Sequence, residues 1–147
     1  MSKSNTFENE LLLLVYNNTD IADIGDAAGL QNSAAAGSLY VALHTADPGE
    51  AGTAATSECA YTAPYARQAV ARSGSGWTVS GNQVSNAALI QFPQCSGGSE
   101  TAQYVSITTA DSGASKILWS GQLSSNLAIS DGIQPQFAIG ALVVSED

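Results

Sequence analysis

The sequence predicts an all-β fold: a jelly-roll-like antiparallel β-sandwich with a short N-terminal helix and an extended arm. Three observations lead there. Apolar and polar residues alternate with a period of two in several short stretches, as half-buried strands require. Those stretches recur about every ten residues, separated by Gly, Pro, Asn and Asp turns. The composition is rich in small residues, with fourteen glycines and only 12% charged side chains, a texture suited to tightly packed β structure.

The first element is the exception to the β pattern. Asn5 can cap a helix whose Glu8, three residues on, reaches back as a capping box. Phe7, Leu11, Leu14 and Val15 then fall on one apolar stripe, and Asn17 and Asn18 stop the helix. Residues 17–37 mix acids, Gly, Ala and Asn with few hydrophobes, and read as an extended connection. Residues 1–37 are therefore read as helix and connecting arm, and 38–147 as the β-sandwich domain.

From Ser38 the period changes to two. In LYVALH, Leu39, Val41 and Leu43 point one way and Tyr40, Ala42 and His44 the other; Asp47-Pro48-Gly49 ends the strand. Tyr65 to Arg72 reads as the next strand, and WTVSGNQVSN as a hairpin around Ser80-Gly81-Asn82. Ala87 to Phe92, stopped by Pro93, is another apolar run. AQYVSITT alternates again, and Asp111-Ser112-Gly113 turns the chain into KILWSGQL. Leu127–Ser130, Gln134–Ile139 and Ala141–Val144 complete the strands, broken by Asp131-Gly132 and Gly140. No internal repeat divides the chain.

Four basic residues against thirteen acidic ones give a net charge of −9 over 147 residues. That balance argues against nucleic acid and anionic membranes, both of which need clustered Lys and Arg. No stretch approaches the roughly eighteen apolar residues of a membrane span. Leu11 to Tyr16 lacks the flanks of a signal peptide, so secretion is not expected. Cys59 and Cys95 read as reduced, packed thiols. Low charge on an exposed surface is poor for solubility, which points to a surface covered by partners.

His44 is the only histidine, and Asp47 and Glu50 follow it closely. One imidazole is too little for zinc, which takes three or four ligands, commonly several His or Cys. The reading is a strand-end imidazole bonded to the adjacent turn. Asp20, Asp23 and Asp26 miss the calcium-loop spacing and lack its final glutamate. There is no G-x-S-x-G elbow and no phosphate-binding glycine loop. No catalytic residue, cofactor or metal is expected. Arg67 and Arg72 are the remaining candidates: a buried arginine needs a carboxylate, and an exposed one can contact a neighbouring subunit.

LYVALHTADPGEAGT, YARQAVA, GWTVSGNQVSNAALIQFP and ILWSGQLSSNLAISDGIQPQFAIGAL follow one another in order. This series resembles a family of small virion proteins of tailed bacteriophages, labelled tail fibre, capsid cement or decoration proteins. The resemblance spans residues 39–144 and a helix like Phe7 to Tyr16. It implies that LYVALHTADP is a strand entering a loop, with no active-site role for the histidine. The chain departs from the family at Asp20 to Ala36, which is longer, and at SECAYTAP, which replaces a Gly-rich stretch.

The resemblance implies a capsid cement or decoration protein that binds the outer face of a phage capsid. Binding only the assembled shell stabilises it by mass action and needs no chemistry. The expected partners are the major capsid protein and the protein itself, as a homodimer or homotrimer. Phe7, Leu11, Leu14, Val15, Arg67 and Arg72 are the candidate contacts. The alternatives are a tail or fibre component of the same virion, and a carbohydrate-binding module using Tyr61, Tyr65 and Trp77.

Overall fold

Alternation in the sequence becomes antiparallel pairing in the structure, a computed structural model that describes residues 2–62 and 64–146. The chain is mostly β, with one short N-terminal helix. The helix α1 (Asn5–Asn17) is followed by β1 (Ser38–His44), β2 (Gln68–Ala71), β3 (Trp77–Ser80) and β4 (Gln83–Asn86). Then come β5 (Ile90–Gln91), β6 (Ser99–Thr108), β7 (Ile117–Ser130), β8 (Gln136–Phe137) and β9 (Val143–Ser145). They form sheets in the orders β2-β1-β6-β7, β3-β4-β9 and β5-β8.

The chain divides into two compact units. One joins Met1–Ser38, Val70–Leu89 and Phe137–Asp147; the other joins Leu39–Ala69 and Ile90–Gln136. In the second unit β1 pairs with β6, Val41 opposite Ile107 and Leu43 opposite Val105. The alternation in β1 predicts one wet face, yet every side chain from Val41 to His44 is buried. The loop after β1 is the reason. It folds back on the strand end, where Thr45 N–H donates to the Ser57 carbonyl at 2.8 Å and Cys59 N–H to the Leu43 carbonyl at 2.9 Å.

β6 and β7 form the longest ladder. The sequence reads KILWSGQL and Leu127–Ser130 as separate strands; the structure joins them as β7 and takes up the residues between them in a bulge. Ala102 faces Leu127 and Tyr104 faces Gln122, so two steps along β6 match five along β7.

In the first unit α1 packs on β3 and β4. Its N-cap is Ser4, one residue before the expected Asn5: the Ser4 hydroxyl accepts from Phe7 N–H at 3.3 Å. The inward face is Glu8, Leu12 and Tyr16. Tyr16 meets Trp77 edge-on, with ring centroids 4.8 Å apart. The β3–β4 turn is Gly81-Asn82 between the paired Ser80 and Gln83. Gly81 takes φ +60°, the position where a two-residue hairpin of the type II′ pattern calls for glycine.

The connection after the helix is pinned at several points. Ile21 and Leu30 exchange both backbone bonds, at 3.0 and 2.8 Å, and Ile21 is buried. Gly29 makes this possible, since a Cβ there would lie 1.8 Å from the Ile21 carbonyl oxygen. Asn18 and Ser33 are bonded in both directions.

Candidate functional site

His44 ends β1 with its ring fully buried. Nδ1 lies 2.9 Å from the Thr56 carbonyl, which can only accept, so Nδ1 carries the proton. Nε2 then accepts from the Ser106 hydroxyl at 2.8 Å. Burial lowers the pKa, and the Thr56 bond partly opposes that. A hydroxyl, an imidazole and a third acceptor in line have the outline of a nucleophile and its base. Ser106 is only 1% exposed, so no substrate reaches it, and the array joins β1, β6 and the returning loop.

Arg67 and Arg72 flank the short strand β2, one just before it and one just after. Arg67 is buried. Nε and Nη2 grip the Glu58 carboxylate at 2.6 and 2.7 Å. The remaining donors reach the Ala110 carbonyl, the Ser115 hydroxyl and the Gly113 carbonyl at 3.0, 2.9 and 2.7 Å. All five N–H groups of the guanidinium are thereby engaged. The Glu58 contact raises the arginine's pKa above its ordinary value, so the guanidinium stays charged. Arg67 ties the loop 110–115 to Glu58 and has no donor left to offer outward.

Beside this clamp lies a cleft of about 350 Å³, lined in part by Cys59, Tyr61, Tyr65 and Asp111. The Cys59 thiol is held protonated, pushed up by burial and then by Glu100. Glu100 also receives the backbone N–H groups of Ala60 and Tyr61 at 2.9 and 3.2 Å. Tyr61 is pushed up to about 12, first by burial, and its hydroxyl donates to the Pro93 carbonyl at 2.8 Å. The Tyr65 hydroxyl accepts from Leu43 N–H at 2.9 Å, and its ring stacks on Phe92 with centroids 6.1 Å apart. Tyr61 and Trp77 are buried and Tyr65 is half-buried, so two of the three aromatics named for sugar stacking are core residues.

Arg72 has a different office. Nε donates to the Val15 carbonyl at 2.7 Å and Nη2 to the Leu14 carbonyl at 2.8 Å. These belong to the last turn of α1, which contains no basic residue of its own. Nη1 reaches the Ala36 carbonyl at 3.1 Å. A cation from another part of the chain thus closes the helix C-terminus and favours its dipole. Of the apolar stripe, Phe7, Leu11, Leu14 and Val15 are all half-buried, flanking the inward Glu8–Leu12–Tyr16 face.

The residues that sequence reasoning missed are polar hubs. Glu58 and Glu100 are two; Asn86 is the third. Its side chain donates to the Ala88 and Ala138 carbonyls at 2.7 and 2.8 Å and accepts from Leu142 N–H at 2.9 Å. The only prior signal was for Glu58, inside the SECAYTAP departure. Among the described residues, no three His, Cys, Asp or Glu side chains gather to hold a metal ion. No described helix is long and apolar enough to cross a membrane. Cys59 and Cys95 are free and buried.

Set beside known families, residues 2–145 match the family described as podophage GP4 fiber I protein gp80. The chain belongs to the gp80 family. It is a bacteriophage structural protein of the virion, which agrees with the tailed-phage resemblance carried by LYVALHTADP and the later strands. No curated protein matches the sequence. In this gp80-family chain His44, Arg67, Cys59 and Cys95 are buried and Arg72 is half-buried.

Proposed function

We propose that this gp80-family protein is a docking subunit on the outside of a podophage virion, a component of its fibre attachment. The observation that carries this reading is the family match over residues 2–145, with its fibre description. Decoration of the capsid face is the second reading, favoured by a net charge of −9, which suits docking on a basic shell surface. Both work by mass action on an assembled particle. The partner is a virion protein with a basic surface, the major capsid protein in the second reading. Electrostatics support this: Arg67 and Arg72 are turned inward and Lys3 pairs with Glu146 at 3.0 Å, leaving an acidic exterior.

The contact we assign is the half-covered stripe Phe7, Leu11, Leu14 and Val15. Removing residues 1–37 would not test it cleanly, because Leu12 and Tyr16 belong to the core. Paired Leu11→Ser and Val15→Ser substitutions keep that core. The expected result is folded protein that no longer incorporates into virions. Electron microscopy of particles labelled on this chain separates the sites: label at the tail supports the fibre reading, label over the shell the decoration reading. Label on neither, with the protein absent from purified virions, overturns both.

A further inference from the structure

Four strands end the two larger sheets. β2 and β3 have four residues each and β9 has three, whereas β7 has fourteen. Natural sheets protect their edges by keeping end strands short or by placing charge or proline on them. β7 has neither protection: ILWSGQLSSNLAIS holds no charged residue and no proline. Ser120, Gly121, Gln122, Ser124, Ser125, Asn126 and Ala128 are exposed along it, all small or uncharged. An edge of unpaired N–H and C=O groups is satisfied by another strand.

The ends of β7 identify that strand. Lys116 stands immediately before it and Asp131 immediately after, and both are exposed. The other three cations are engaged within the chain: Lys3 with Glu146, Arg67 with Glu58, Arg72 with the carbonyls of α1. Lys116 is therefore the one outward cation among the described residues. We propose that β7 pairs antiparallel with β7 of a second copy of this chain, Lys116 of each copy facing Asp131 of the other. Residues 117–122 of one copy then lie along 125–130 of its partner, and the β6–β7 ladder continues across a two-fold axis. Parallel pairing would set Lys116 against Lys116. A chain of net charge −9 meets little repulsion along this neutral edge. The inference rests on the sheet alone and holds or fails independently of the virion site.

The test is a charge exchange read by sedimentation. Wild-type protein is expected to sediment as a dimer that dissociates on dilution. K116D and D131K should each weaken association about tenfold or more, since each replaces two attractions by two repulsions. K116D/D131K restores both pairs and should return the dimer, with unchanged circular dichroism throughout. A wild type that stays monomeric at every concentration overturns the proposal, and would mean that the bulge in β7 turns its edge away from pairing. Single exchanges that leave the dimer intact, or a double exchange that fails to restore it, overturn it equally.

Discussion

The two arginines that flank β2 look alike in the sequence and are opposites in the fold. Arg67 meets a carboxylate, and its charge is neutralised within a buried cluster. Arg72 meets no carboxylate: its partners are backbone carbonyls and the Ser33 hydroxyl, and the negative end of a helix is its counter-charge. A buried cation matched by a unit charge leaves an uncompensated partner behind when removed. One matched by a partial charge leaves only neutral groups behind. Placement at the two ends of one short strand therefore says little about how much each side chain stabilises.

Arg67→Ala should have the largest effect. It leaves Glu58 without its partner and takes the donor from the Ala110 and Gly113 carbonyls, a loss of about 3 kcal/mol or more. Urea denaturation measures it directly. Lysine at this position should recover little, because one ammonium cannot reproduce the two-pronged grip on Glu58. The double variant R67M/E58M sharpens the point: it removes the stranded carboxylate but returns no donor to the Ala110 and Gly113 carbonyls. Wild-type stability in that variant would mean the loop contacts contribute nothing.

Arg72→Ala comes next, at about 1–2 kcal/mol from lost charge-assisted bonds and the dipole. Here Arg72→Lys should recover part of the loss, since a point charge near the helix terminus still helps. Equal rescue by lysine at both positions would erase the distinction between them.

His44 gives a smaller and pH-dependent effect. Burial holds its folded pKa below the ordinary value, so the unfolded chain binds the proton first as pH falls. Stability is fully present above about 6.5 and is lost as pH drops through the window below it. His44→Gln should flatten that slope relative to wild type in urea titrations across pH. An unchanged slope would show that His44 does not titrate differently in the two states. Smallest of all is the expected response of Cys59 and Cys95, which should resist thiol reagents until denaturant is added. Rapid native labelling of either would contradict their burial.

Local pattern made part of this legible. β1 and the β3–β4 hairpin follow from alternation and from Gly81, because both depend on neighbours in sequence. β7 did not follow as one strand, since the residues between KILWSGQL and Leu127 are carried in a bulge. The run Leu11–Val15 has no polar break, so periodicity placed a stripe without fixing which side turns inward. Glu58 was foreseeable only as some carboxylate for a buried arginine. Arg72 could not be read at all, because backbone carbonyls leave no trace in a sequence.

The division of the chain into segments bears on the order of its synthesis. The unit holding β6 and β7 is complete once residue 136 has been made, and its main ladder closes across the short turn between Thr108 and Ile117. The unit holding α1 draws on Phe137–Asp147, including β9 and Leu142. The helix is thus made well before the last segment of its own unit, and waits for its full set of neighbours. During that interval its apolar side chains are open to chaperones, and the unit built from three distant segments forms after the one built from two.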